Sequence, residues 1–253
     1  MSMQPDQLKA IFRQGWMNSH VVDHRVQRFI KGEFGFEPSR NAWKKVLAEA
    51  ASGENIHRAV DMGTGPGTIA QFWAEMGMET TGVDFSATML DAAKTVAAQQ
   101  KLDISFMEAD VEAPPLPTGS FDLVSSRAVL FTLPHPGYAL ARWAQLLRPG
   151  GLMVLIGEIS PTDPEKQKRA YRPAEGWQPD AEYREAMKQL PFREHTDQML
   201  RVVMEAVGLK DIRSISMDAV MSSRWEHEKQ EPAYGVLQGT PYILVGQRAD
   251  EKL

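Results

Sequence analysis

Val60-Asp61-Met62-Gly63-Thr64-Gly65-Pro66-Gly67-Thr68 follows an apolar run, Ile56 to Asp61, and opens a helical stretch from about Gly67 to Met76. Closely spaced glycines let backbone N–H groups approach a ligand, and the helix they open carries partial positive charge at its N-terminus. The spacing departs from the dinucleotide fingerprint G-x-G-x-x-G: counted from Gly63, the third glycine would fall on Thr68. Asp61 stands just before the first glycine, and a carboxylate there repels a pyrophosphate but attracts an ammonium or a sulfonium.

Outward from this turn, short strands alternate with helices. Thr80 to Asp84 reads as the second strand, and Ser86 is an N-cap for a helix carrying Met89, Leu90, Ala93 and Val96. Ile104 to Met107 and Phe121 to Ser125 are the third and fourth strands, and a helix follows from about Gly137 to Leu147. Arg148-Pro-Gly-Gly151 reads as a turn into the fifth and most apolar strand, Leu152 to Ile156. Single helices between strands demand right-handed crossovers and a parallel sheet covered on both faces. The expected fold class is therefore α/β, a doubly wound, mostly parallel sheet.

The flanks are less regular. Residues 5–52 read as helices in pieces, with Val21, Val22, Val26, Phe29 and Ile30 in one stripe and Trp43, Val46 and Leu47 in another. Gly32-Glu-Phe-Gly-Phe-Glu-Pro38 is expected to break the two. Residues 158–194 carry five prolines and a basic run, Lys166 to Arg172, and read as a helical or loop insertion after the fifth strand. Helix 196–207, capped by Thr196 and closed by Gly208, resumes the pattern. Ile212 to Met217 and Tyr242 to Val245 close as strands. The link between them does not read as a crossover helix, so an antiparallel pair at the sheet edge is expected. The chain is read as one domain over 1–253: an N-terminal helical cap, 1–52; a ligand-binding half, 53–157; a substrate-side insertion, 158–194; and a C-terminal helix with edge strands, 195–253.

Composition narrows the classes. The chain has 28 Lys+Arg against 33 Asp+Glu, a formal net charge of -5 and no cysteine. Without cysteine there is no thiolate metal site and no cysteine nucleophile, and no metal is expected. A net acidic chain lacks the basic face that releases counterions from duplex DNA, so no nucleic acid partner is expected. No apolar run approaches the roughly 20 residues of a membrane span, and Met1 to Ala10 lacks a signal-peptide core, so a cytoplasmic protein, monomer or homodimer, is expected.

The second strand ends in Asp84, where an acid can accept both hydroxyls of a ribose. A nucleoside with a cationic tail satisfies Asp61, Thr68 and Asp84 together, and S-adenosyl-L-methionine is such a ligand. Residues 56–157 resemble the class I S-adenosylmethionine-dependent methyltransferases. Asp61-x-Gly63-x-Gly65-x-Gly67 is similar to that family's first motif, and Asp84-Phe85-Ser86-Ala87-Thr88-Met89-Leu90 to its second strand and following helix. Phe106 to Val111 with Phe121-Asp-Leu-Val, and Arg148-Pro-Gly-Gly151, resemble its later motifs. The resemblance implies that Asp61 balances the cofactor's ammonium, that Gly63, Thr64, Gly65 and Gly67 admit its methionine portion, and that Asp84 holds the ribose. It further implies that Phe85 and Met89 sandwich the adenine, that Asp110 and the Val111 N–H read its edge, and that Arg127 lies beside the methionine carboxylate or the acceptor.

The implied reaction is methyl transfer to a small-molecule acceptor, with S-adenosyl-L-homocysteine as product; the alternative is a noncatalytic binding module on the same fold. In-line displacement from a sulfonium needs alignment and water exclusion, and a base only where the nucleophile holds its proton. Among His20, His24, His135 and His195, His135 is the first choice for that base because it follows the fourth strand at the carboxyl edge of the sheet, where ligands bind. His195 reads as the residue before a helix cap. Phe12, Trp16, Phe34, Phe36, Tyr171 and Trp177 are candidate lid residues.

Overall fold

The structure, a computed structural model, describes residues 2–53, 55–159, 178–230 and 240–249. Seven strands form one sheet: β1 Arg58–Met62, β2 Glu79–Asp84, β3 Ile104–Glu108, β4 Phe121–Arg127, β5 Leu147–Ile159, β6 Leu209–Ile215 and β7 Thr240–Arg248. Their order is β3-β2-β1-β4-β5-β7-β6. The first five pair in parallel. β7 runs antiparallel to both neighbours, lying between β5 and β6, so the last strand of the chain is interior and β6 takes the edge.

Alternation within the strands sends side chains to two cores. Val124, Met153 and Leu155 face one, closed by Trp143 of α6, Pro136–Leu146, and by Leu200 and Met204 of α8, Asp197–Ala206. Leu123, Val154 and Ile156 face the other, against Trp73 of α4, Thr68–Glu75, and Trp43 of α3, Glu37–Ala50. All three tryptophans are fully buried, and each such ring removes some 150–250 Å² from water. The remaining α-helices among the described residues are α1 Pro5–Trp16, α2 Ser19–Arg25, α5 Ala87–Gln100, α7 Ala181–Lys188 and α9 Asp218–Gln230.

Two local expectations are corrected, and the C-terminal link adds a helix. The glycines of 32–38 do not break the helix: α2 runs on as a π-helix, Val26–Gly35, and the chain becomes extended only at Phe36. A π-helix carries one more residue per hydrogen-bonded ring than an α-helix, and here Gly32, Glu33 and Phe34 are all buried, so tertiary packing overrides glycine's low propensity. Arg148-Pro-Gly-Gly151 lies within β5 rather than before it, because Leu147 already pairs with Phe121 across an irregular step. The link between β6 and β7 holds a helix, α9, packed on α3. Its apolar residues are few, with Val220 buried and Trp225 half exposed, which is why no stripe marked it. The antiparallel pair expected at the sheet edge is β7 with β6, β6 lying outermost. The basic run Lys166 to Arg172, with Tyr171 and Trp177, lies outside the described residues. Among the described residues no helix is long and apolar enough to cross a membrane.

Candidate functional site

The carboxyl ends of β1, β2, β4 and β5 converge on one edge of the sheet. At β1, the Gly63 and Thr64 N–H groups both donate to the Val83 carbonyl of β2, at 2.8 and 3.0 Å, and fold the glycine turn over the strand ends. Gly63, Gly65 and Gly67 have φ of 68, 53 and 84°, the left-handed region where a Cβ costs about 1–2 kcal/mol. Space separates the first two. A Cβ on Gly63 would lie 2.3 Å from Val129 Cγ2, whereas one on Gly65 meets nothing within 4 Å among the described residues. Gly65 therefore faces the open space that a ligand can fill. Gly63→Ala is expected to cost about 2–4 kcal/mol, backbone strain plus overpacking, and Gly65→Ala only the strain; urea midpoints check that order.

Asp84 is buried, and its two oxygens accept the Gly65 and Ser86 N–H groups, each at 2.9 Å. Burial pushes its carboxyl up, against those backbone donors. A carboxylate offers about four lone-pair directions, so the one acid, which the Phe85 N–H also reaches, fixes the turn to β2 and retains acceptor capacity for a hydroxyl. Phe85 is half-buried, while Met89 is buried against Val21 and Val22 of α2. The i, i+4 pair thus has one member committed to a helix contact.

Asp110 closes an Asx turn on the Glu112 N–H at 2.9 Å, and its other oxygen meets Lys9 Nζ at 2.7 Å. Val111 is buried, its carbonyl accepting the Trp143 indole N–H at 2.7 Å. Lys9 also reaches Glu112 at 2.6 Å, Arg13 meets Glu108 at 2.5 Å, and the Ser86 hydroxyl donates to the Trp16 carbonyl at 3.1 Å. These contacts tie α1 across the β2 and β3 ends of the site, something no local sequence signal announced.

Asp61 is 2 % exposed. Ser125 on β4 donates its hydroxyl to Asp61 at 2.7 Å and itself accepts the Trp73 indole N–H at 2.9 Å. Burial pushes the Asp61 carboxyl up to about 6, against the pull of the Ser125 hydroxyl and the Arg127 charge. Neither Ser125 nor Trp73 was singled out from the sequence; the parallel register Asp61↔Ser125 is what joins them.

Arg127 forks onto Glu33, Nη1 at 2.5 and Nη2 at 2.9 Å, and its guanidinium stacks over Phe29 and Trp43, 4.5 and 4.7 Å from their centroids. Arg224 of α9 pairs with the same carboxylate. Glu33 was not foreseen either, since its importance rests on π-helical burial.

His135 caps α6 with its N–H on Glu112 Oε1 at 2.6 Å and Nδ1 3.2 Å from Oε2, and its side chain is 49 % exposed. It does not line the cleft past β4 and β5, whose walls include Ser126, Ala128, Val129, Glu158, His195 and Tyr242. His195, read as a pre-cap residue, is the histidine the structure brings there. No group of metal-ligating side chains occurs among the described residues.

A sheet of this order, with a glycine turn after β1 and acids closing β1 and β2, is the class I methyltransferase fold. Residues 60–155 match the family described as "Methyltransferase domain". The chain is similar to a malonyl-[acyl-carrier protein] O-methyltransferase of Enterobacter lignolyticus, 36 % identical over 43 % of this chain and 41 % of that protein. It is similar to a demethylmenaquinone methyltransferase of Renibacterium salmoninarum, 30 % identical over 47 % of this chain and 49 % of that one. The matches thus span about half the length of these curated relatives or less. Among solved structures, phosphoethanolamine N-methyltransferase 2 of Haemonchus contortus, in complex with phosphomonomethylethanolamine and S-adenosylhomocysteine, superposes with a TM-score of 0.69. It is 14 % identical over 96 % of this chain and 60 % of that one, a likeness of fold.

Proposed function

We propose that the chain is an S-adenosylmethionine-dependent methyltransferase acting in the cytoplasm on a small-molecule acceptor. The observation that carries this reading is Asp61: a buried carboxylate, held by Ser125 and pushed up by burial, beside the open space over Gly65. An acid in that position is stabilised by a cation, and the adjacent turn admits a backbone-close ligand. The two curated relatives described above, both methyltransferases, support it.

In this reading Asp61 holds the ammonium of the cofactor's methionine end, while Arg127, held on Glu33 yet close enough to pull on Asp61, contributes its positive charge to that end of the site. Gly63, Thr64, Gly65 and Gly67 form the floor. Asp84 takes the ribose with the acceptor capacity that the backbone N–H groups leave, Phe85 covers one adenine face, and Asp110 and Val111 read the adenine edge. When bound, S-adenosylmethionine would supply the methyl as a sulfonium electrophile. The chain's own work is to orient and to exclude water, with the acceptor entering over Ser126 and Ala128.

Calorimetry with S-adenosylhomocysteine on the purified chain is expected to show one site per chain. No heat at millimolar ligand removes the reading. Binding with no methyl transferred across a broad acceptor panel would instead indicate a noncatalytic module on the same fold.

A further inference from the structure

Two buried groups that the cofactor reading leaves unused meet at the mouth of the cleft. His195 Nδ1 lies 2.9 Å from the Phe192 carbonyl. A carbonyl oxygen only accepts, so Nδ1 carries the hydrogen and Nε2 of the neutral ring presents a lone pair. Tyr242 Oη sits 3.2 Å from that Nε2, the rings edge to face at 88°. The phenol therefore donates to the imidazole, and its own oxygen lone pairs remain for a further donor.

The backbone is shaped for this hydroxyl. Tyr242 on β7 pairs across the sheet with Gly157 of β5. A Cβ on residue 157 would lie 2.4 Å from Tyr242 Oη, so glycine is what lets the phenol cross over β5 toward the strand ends. Both side chains line the cleft beside Ser126 and Ala128, the residues that follow the Asp61 contact Ser125 on β4. Among the described residues, the charged groups facing the pair are Glu158 on β5 and Asp197 at the start of α8, the latter bound to Arg201 at 2.5 Å. Burial raises the Tyr242 phenol first, with Asp197 adding to it, so the phenol hands protons on rather than storing charge.

We infer that Tyr242 and His195 form the proton-accepting relay of the methyl transfer, and that the acceptor is a hydroxyl compound, a phenol or enol. The inference rests on the cleft being the methyl-transfer site. A carboxylate, a thiolate or a free amine attacks with a lone pair it already has; a hydroxyl does so only as its proton leaves. As the new O–CH₃ bond forms, the methyl–sulfur bond breaks and its electron pair stays on sulfur. The acceptor's proton passes to Tyr242 Oη, the Tyr242 proton passes to His195 Nε2, and the imidazolium later releases it to solvent. No other reactant is required.

The test is turnover of phenols of graded acidity, with enols, amines, thiols and carboxylic acids beside them, by wild type, Tyr242→Phe and His195→Gln. Methylation of hydroxyl compounds by the wild type is expected. On a weakly acidic phenol both variants should lose about 10²–10³-fold in kcat. On 4-nitrophenol, ionised near neutrality, the loss should shrink to a few-fold. Tyr242→Phe removes one oxygen and leaves the fold to stand, as thermal unfolding will verify. An equal loss on every phenol indicates a structural pair and overturns the relay, as does turnover confined to amines, thiols or carboxylates, or no hydroxyl turnover at all. Calorimetry with S-adenosylhomocysteine separates the two failures: wild-type binding retained leaves the functional reading intact while the relay falls, and no binding in wild type strikes at that reading itself.

Discussion

Asp61→Asn is expected to make the ligand-free protein more stable at pH 7 and to lower its affinity for S-adenosylhomocysteine about 100-fold or more. Both effects follow from one carboxylate. Burial pushes Asp61 up from 3.8 to about 6, so keeping it ionised at neutral pH costs about 3 kcal/mol in the folded state. The sign is that of a raised acid. The native state binds the proton more tightly than the unfolded chain, so the associated stability is complete below 3.8 and is lost as pH rises through about 6. Asparagine mimics the protonated form and keeps an oxygen for the Ser125 hydroxyl, which stands 2.7 Å away. The stability gap between variant and wild type, from urea titrations, should thus be open at pH 8 and close as pH falls toward 4. Binding reports the other half. Removing one partner of a buried charge pair costs about 2–5 kcal/mol, and wild-type affinity should itself fall by about tenfold per unit below pH 6, as the proton competes with the ligand's ammonium. An Asp61→Asn protein that is no more stable and binds as tightly as wild type would mean the acid balances no cation.

What the sequence made legible was the part in which neighbours along the chain are neighbours in space. The turn from Asp61 to Thr68, the acid at Asp84 and the cap at Ser86 are short-range features, and the structure uses them as strand end, loop anchor and helix start. The rest depends on pairings that no window sees. Arg127 and Glu33 are 94 residues apart, Lys9 and Asp110 are 101, and His195 and Tyr242 are 47. Each joins a flank to the central sheet. A π-helix has no periodic signature distinct from an α-helix punctuated by glycine, so Glu33 read as part of a break. The order β5-β7-β6 puts Tyr242 beside Gly157 only because the last strand inserts between two earlier ones. His135 and His195 show the limit most directly. Sequence position at the carboxyl edge favoured the former, yet Glu112 holds it at the start of α6, while the helix-capping turn before α8 sets the latter into the cleft.

Glu33→Gln should destabilise the protein by about 3–5 kcal/mol, the cost of leaving buried charge without its counterion. Glu33 is 3 % exposed and is shared by Arg127 and Arg224, whose side chains are 14 and 11 % exposed. One Arg224 nitrogen, Nη1, is already buried with no hydrogen-bond partner among the described residues. Arg25 lies nearby, its guanidinium over Trp16 and Phe29, and burial together with the Arg28 and Arg127 charges brings it down to about 10. Glutamine keeps the shape of Glu33 and removes the one negative charge these guanidinium groups share, so packing alone predicts almost no effect and electrostatics a large one. Acid titration separates the two. Burial alone would raise the Glu33 carboxyl, but Arg127 and Arg224 outweigh it and hold it down to about 2. A depressed acid stabilises the fold fully above its unfolded value, near 4.5, and that contribution is lost as pH falls through about 2. The stability difference between wild type and Glu33→Gln, followed by urea unfolding, should hold constant from pH 8 to 5 and narrow steadily toward pH 2. Curves that stay parallel down to pH 2 would show that the helix is held there by its apolar contacts alone, with Arg127 then free to turn toward the cleft without cost.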